Sequence, residues 1–424
     1  MELIVEPDTA LVDQKVSIRM TGLEPGEQVT LRAAMTEMPG AVYEAESFAT
    51  FIAGVNGEVH LDQQAPVAGT YSGVDPMGLF WSMKVSHVRY SMTRKLDQLT
   101  FVPAASGIML SAESAKGRVA KANLQREYVS SKVLVQDVKE HGLVGKYFYL
   151  PDQPPAQGVL VLGGGEGGLA SSMNYAALFA SYGFPSLALA YFRFEHLPEH
   201  LQEIPLEYFY QAIEWLRHRQ EVRPDRNAVF GRSKGAELSL ILGTVFPEIG
   251  CVIASSPSST ACIGHIEPGA DHSYRRYSSW SYQGKALPYV EWTNEQCEEA
   301  LNCFKTYKRI DHIHKAAFEQ CDRLEEVTIP VEKIAGPILI ITSTDDHWWP
   351  AELHGERIAA RLKAKGFSHK FEHLHYEDTG HLVRYPYIPT TQLSMNGGTP
   401  FNNYIASLES WNRIKQFLME ISDE

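Results

Sequence analysis

An α/β fold preceded by an antiparallel β-sandwich is what this sequence predicts, and three observations carry the prediction. The chain has 424 residues, about twice the usual domain length, so two domains with separate cores are expected. Up to about residue 125, apolar and polar side chains alternate with period two, the rhythm of half-buried strands. From about residue 140, short apolar runs alternate with amphipathic stretches of a dozen or more residues, the rhythm of a parallel sheet flanked by helices.

Taken in order, Val16, Ile18 and Met20, then Val29, Leu31 and Ala33, mark one face of successive strands. Leu23-Glu-Pro-Gly-Glu and Val55-Asn-Gly-Glu supply turn chemistry at the short spacing of hairpins. No helix of convincing length is predicted there, and residues 1–125 read as an Ig-like antiparallel β-sandwich. The polar stretch from about 113 to 130, with Lys116, Arg118, Lys121 and Arg126, reads as the connection into a second domain over residues 126–424. In that domain strands are predicted at Gly158–Leu162, Pro185–Tyr191, Asn227–Phe230, Cys251–Ser255 and Pro337–Thr342, and helices over Leu206–Arg219, Glu237–Thr244 and Ile405–Leu418.

Composition narrows the function. Hydrophobic residues make up 44% and charged residues 21%, as in an ordinary globular enzyme. A net charge of −13 argues against a nucleic-acid partner, because a phosphate backbone selects a basic surface. The five cysteines form no CxxC pair, so zinc and redox motifs are not expected, and neither is a cofactor. The N-terminal Met-Glu-Leu-Ile-Val lacks the basic start and apolar core of a signal peptide, and no run approaches the ~20 apolar residues of a membrane span. A cytoplasmic setting is the expectation.

Chemistry enters with Gly231-Arg-Ser233-Lys-Gly235, a G-x-S-x-G placed directly after a predicted strand and before a predicted helix. The two glycines suit a sharp turn in which a Cβ would collide with neighbouring backbone, leaving the Ser233 hydroxyl exposed at the sheet edge. A serine is a weak nucleophile until a base takes its proton, so a histidine oriented by a carboxylate is required downstream. Asp345-Asp346 follow the run Pro337–Thr342, and His381 follows the strand-like segment 370–376. The order Ser, Asp, His is that of α/β-hydrolases. From the residues alone, Asp345 serves as well as Asp346.

His373 and His375 alternate along a strand and read as sheet residues. His312 and His314 beside Asp311 lack further ligands at metal spacing and read as solvated. An oxyanion hole combines the N–H after the nucleophile, here Lys234, with one from the loop after an earlier strand. That loop is the run Gly163–Gly168, with Gly165 and Glu166 as candidate donors; it lacks the Gly-Lys-Ser/Thr ending of a phosphate loop.

Over nearly its whole length the chain resembles the family of acyl-CoA thioesterases and bile acid-CoA:amino acid N-acyltransferase. The resemblance rests on Glu6-Pro7, Gly22-Leu-Glu-Pro-Gly, Asp75-Pro-Met-Gly-Leu-Phe-Trp, Ala188-Leu-Ala-Tyr-Phe, Gly231-Arg-Ser-Lys-Gly-Ala-Glu-Leu, Asp345-Asp-His and Thr379-Gly-His. It implies a β-sandwich followed by an α/β-hydrolase domain that acts on an acyl-CoA, and it puts the catalytic aspartate at the second position, Asp346. The serine at the elbow implies water as acceptor, since the acyltransferase branch carries cysteine there. Arg232 departs from the small or aliphatic residue expected beside the nucleophile, and the aromatic-rich stretch Tyr274–Trp292, expected to cover an acyl pocket, matches the family poorly. Arg275, Arg276 and Lys285 are candidates for meeting coenzyme phosphates, or are simply solvated. The expected activity is acyl-CoA hydrolysis; the rivals are amino-acid N-acyl transfer and a carboxylesterase or peptidase of the same fold.

Overall fold

A computed structural model of the protein describes residues 1–38, 41–89, 105–269, 271, 273–390 and 396–423. The N-terminal strands are β1 (Glu2–Glu6), β2 (Thr9–Leu11), β3 (Ser17–Thr21), β4 (Gln28–Met38), β5 (Ala41–Ile52), β6 (Val59–His60), β7 (Ala68–Gly69), β8 (Lys84–Arg89), β9 (Ser106–Ser114) and β10 (Val119–Glu127), with the one-turn helix α1 (Gly78–Trp81). One sheet runs β1-β3-β6 and the other β2-β10-β9-β4-β5-β7, with β8 also on β5. The inward residues of both sheets, Ile18, Met20, Val29, Leu31, Ala33, Phe51, Val59 and Leu110 among them, join in one core. The period-two faces read from the sequence are therefore the buried faces.

The stretch around 113–130 is not a connection. It is the end of β9, a turn and β10, which pairs antiparallel with β9 and parallel with β2. Its surface is mostly polar because β10 buries only Leu124 and Arg126. Arg126 donates to the carbonyls of Val12 and Gln14, so a residue that reads as a solvated charge tethers the sandwich internally.

The large sheet that follows begins at β11 (Leu134–Val138) and continues with β12 (Val144–Tyr149), β13 (Ala156–Leu162) and β14 (Ser186–Ala190). After the short β15 (Ile204–Pro205) come β16 (Val222–Arg232) and β17 (Ile249–Ser255). An excursion carries β18 (Ile263–Pro268), β19 (Tyr274–Ser278), β20 (Trp280–Tyr282) and β21 (Lys285–Ala286), and the sheet closes with β22 (Ile338–Ser343) and β23 (Phe371–Tyr376). The order across the sheet is β11-β12-β14-β13-β16-β17-β22-β23. The first two pairings are antiparallel and the rest parallel.

Helices cover both faces: α2 (Ala170–Ser181), α3 (Leu206–Arg217), α4 (Lys234–Val245), α8 (Ala351–Ala364) and α9 (Pro400–Asp423), while α5 (Asn294–Thr306), α6 (Asp311–Glu319) and α7 (Leu324–Val327) belong to the excursion between β17 and β22. Strand alternation divides the apolar side chains between the faces. Val159, Val161, Phe230, Leu339 and Ile341 pack with α2 and α9. Leu160, Leu162, Val229, Ile338 and Ile340 pack with α3, α4 and α8. With both faces covered, the carboxyl edge of the parallel strands is where loops remain free to build a site.

Candidate active site

The centre of that edge is the turn from β16 into α4. Ser233 takes φ 58° and ψ −123°, a strained backbone for a residue with a Cβ, and its amide is tied to the Ser255 carbonyl at 2.9 Å. Both flanking glycines are required. A Cβ on Gly231 would lie 2.0 Å from the Gly235 carbonyl oxygen, and one on Gly235 would lie 2.3 Å from the Gly163 carbonyl oxygen.

Loops from two later strands converge on this serine. His381 Nε2 stands 2.9 Å from Ser233 Oγ, and His381 Nδ1 stands 2.7 Å from Asp346 Oδ2. The other oxygen of Asp346 accepts the amides of Trp348 and Trp349, so the turn that follows β22 fixes the carboxylate. Asp346 and His381 are buried, and the rings of Trp348 and Trp349 shield the imidazole from two sides. The His381 loop is held by its amide on the Asn396 carbonyl and by the Gly380 amide on Asn403 of α9.

Asp345 faces elsewhere. It accepts the Gly398 amide at 2.7 Å and meets His347 at 2.9 Å, so it braces the loop from 396 onward.

Over the serine lies the glycine run. Gly164 is the close approach: a Cβ there would be 3.2 Å from the Ser233 Cβ and 2.7 Å from Glu166 Oε2. The Glu166 carboxylate folds back into the loop, accepting the Gly164 amide and the Ser171 hydroxyl, and Arg232 lies 3.7 Å away. Burial pushes that carboxyl up, but Arg232 and Ser171 together hold it below its usual value. Arg232 is thus paired, buried and part of the loop's support.

Other expectations shift. His312 is exposed beside Glu299, but His314 is only partly exposed: it stands edge-on to Trp292 and Trp349, and desolvation first, then the charge of Lys234, brings it down to about 3. His373 and His375 share Thr342 across β22 and β23, as sheet residues do. Both tryptophans of the aromatic-rich stretch are buried. Trp280 packs against Tyr191 and Phe209 and bonds Glu237, and Trp292 lies in a satellite core with Ile313 and Cys297. Arg276 is taken by Asn294 and the Tyr274 carbonyl, whereas Arg275 and Lys285 are exposed. All five cysteines are free. Among the described residues, no three His, Cys, Asp or Glu side chains cluster to hold a metal, and no helix is long and apolar enough to cross a membrane. Sequence reasoning missed Ser171 and the two tryptophan amides; a carboxylate opening a turn after a strand was their one local sign.

An eight-stranded sheet in this order, one antiparallel edge, a strained serine after its fifth strand, and acid and histidine loops after its seventh and eighth define the α/β-hydrolase fold. Within that class the chain belongs to the BAAT and acyl-CoA thioester hydrolase family. The model described as BAAT / Acyl-CoA thioester hydrolase C terminal matches residues 204–422, and that described as Acyl-CoA thioester hydrolase/BAAT N-terminal region matches residues 13–140. The chain is 29% identical to acyl-coenzyme A thioesterase 1 of Rattus norvegicus, covering 96% of this chain and 93% of that one. It is equally 29% identical to acyl-coenzyme A amino acid N-acyltransferase 1 of Mus musculus, covering 98% and 97%. Bile acid-CoA:amino acid N-acyltransferase of Mus musculus is again 29% identical, over 99% and 97%.

Proposed function

We propose that this protein hydrolyses acyl-CoA thioesters through an acyl-enzyme on Ser233. The observation that carries the reading is the continuous hydrogen-bonded line from Ser233 Oγ through His381 to the buried Asp346. In this reading His381 accepts the serine proton as Oγ attacks the thioester carbonyl, and Asp346 holds the ring in the tautomer that leaves Nε2 free to act as base. The oxyanion that forms is met by the amide of Lys234 at the start of α4 and by an amide of the glycine run, Gly165 or Glu166. His381 gives the serine proton to the coenzyme A sulfur as the thiol departs, and the neutral imidazole then takes a proton from the water that releases the acid. Serine at the elbow favours water over an amino-acid acceptor, the point at which the reading parts from the N-acyltransferase relatives.

The test is thiol release from acyl-CoAs of short to long chain, with and without glycine or taurine, for wild type and Ser233→Ala. Release without amine that disappears in the variant is expected. Release that requires the amine makes the protein an acyltransferase, and activity confined to oxygen esters makes it a carboxylesterase.

A further inference from the structure

Directly beside the elbow, and outside the serine, histidine and aspartate line, lies a buried ion pair. The Lys234 ammonium reaches Glu237 at 3.0 and 3.2 Å, the Cys262 carbonyl at 3.0 Å and the Ser279 hydroxyl at 2.8 Å. Its three donors are therefore fully employed. Glu237 is completely buried and accepts two further bonds, from the Trp280 indole at 2.8 Å and the Cys262 amide at 3.2 Å. Ser279 in turn donates to the Cys262 carbonyl. The first turn of α4 is thereby bolted to Cys262, Ser279 and Trp280 of the excursion, and through the Ile204 amide on the Ser279 carbonyl also to β15.

Stability alone does not account for this pair. Two charges removed from water regain in mutual attraction little more than they lose in hydration, and apolar residues of similar size often serve as well. What an ion pair with every donor and acceptor used does provide is a single arrangement, because any rotation of the first turn strands a charge. That matters where the main chain of the same lysine must aim an amide at an oxyanion, within about 0.5 Å of its ideal place.

We infer that Lys234 and Glu237 are positioning residues, whose buried pair fixes the Lys234 amide as oxyanion donor and locks Cys262, Ser279 and Trp280 against the first turn of α4. The inference rests on Ser233 acting as nucleophile.

Lys234→Met and the nearly isosteric Glu237→Gln are compared with wild type in two ways. Steady-state hydrolysis of an acyl-CoA is expected to show kcat lowered about 10²-fold with KM little changed. The rate of labelling by a serine-directed fluorophosphonate, whose phosphoryl oxygen occupies the same hole, is expected to fall in parallel once normalised to the folded fraction from exhaustive labelling. Variants that label the folded fraction at the wild-type rate would make the pair merely structural and overturn the inference, and Glu237→Gln keeps that outcome readable where Lys234→Met does not fold. A loss seen wholly in KM also overturns it. If wild type labels but releases no thiol from any acyl-CoA, the substrate reading fails while the labelling rates still decide the pair; a wild type that does not label overturns both.

Discussion

Two adjacent aspartates, Asp345 and Asp346, face different partners just past the end of β22. Gly231 and Gly235 flank the serine because a Cβ at the first would meet the Gly235 carbonyl and one at the second the Gly163 carbonyl. Asp345 and Asp346 are alike in sequence, and only tertiary partners separate them. One is turned outward by Gly398, some fifty residues on, and the other inward by His381. The prediction is direct. Asp346→Asn retains the geometry but favours the wrong imidazole tautomer and is expected to lower kcat about 10⁴-fold. Asp345→Asn still accepts the Gly398 amide and is expected to keep most of the wild-type kcat. Rates reversed between the two variants would move the orienting role to Asp345. Lys234 and Glu237 were hidden for a related reason: a Lys and a Glu three apart on a helix ordinarily read as a solvated pair, and burial by residues 262–280 is a contact no local pattern announces.

At the scale of elements, the parallel strands were legible because burial on both faces leaves them as uninterrupted apolar runs, such as Gly158–Leu162 within β13. β10 was not, because it is exposed along most of its length and its one buried charge, Arg126, has its partners in the turn after β2. Helix α5 announces itself only at its first residue, where Thr293 and Gln296 form a reciprocal cap.

Helix α8 carries an element-scale consequence. Its His354 is buried, bonded to Ser259 at 2.9 Å and set edge-on to Phe318. Burial, and secondarily the charge of Arg357, brings the imidazole down to about 3 from an ordinary value near 6.5. The unfolded chain therefore binds a proton there that the folded one refuses, so this histidine's contribution to stability is complete above about pH 6.5 and is lost progressively as pH falls toward 3. His314 has the same sign and window. The melting temperature of wild type is expected to decline on going from pH 7 to pH 5, and His354→Gln, which has no proton to gain, is expected to flatten that slope whatever it does to the value at pH 7. An unchanged slope would remove His354 as a source of acid sensitivity.

On the scale of the whole molecule, the β-sandwich and the α/β sheet are joined by polar and aromatic contacts drawn from distant parts of the chain. Asp13, buried after β2, accepts the Tyr182 hydroxyl at 2.6 Å and the Trp411 indole at 2.7 Å, and pairs with Lys415 at 3.3 Å. Trp411 is itself central to the core between α2 and α9, against Phe179 and Tyr175. A second anchor lies at the start of α9: Trp81 stacks on Tyr404 with ring centres 5.0 Å apart, and its carbonyl accepts both the amide and the hydroxyl of Thr390. The same helix supplies Asn403, which holds the amide before His381. A junction of this kind makes the sandwich part of the folding unit that presents the histidine, so the two parts are expected to unfold in urea as one transition. Asp13→Ala leaves an indole, a phenol and a mostly buried ammonium without their common acceptor, and is expected to cost about 3 kcal/mol and lower the urea midpoint with kcat at 25 °C retained. Tryptophan fluorescence and thiol release measured along one urea series decide the matter. Coincident curves that shift together in the variant support a single unit, whereas two separated transitions, or a midpoint unmoved by the substitution, would mean that the α/β sheet holds its site without help from the sandwich.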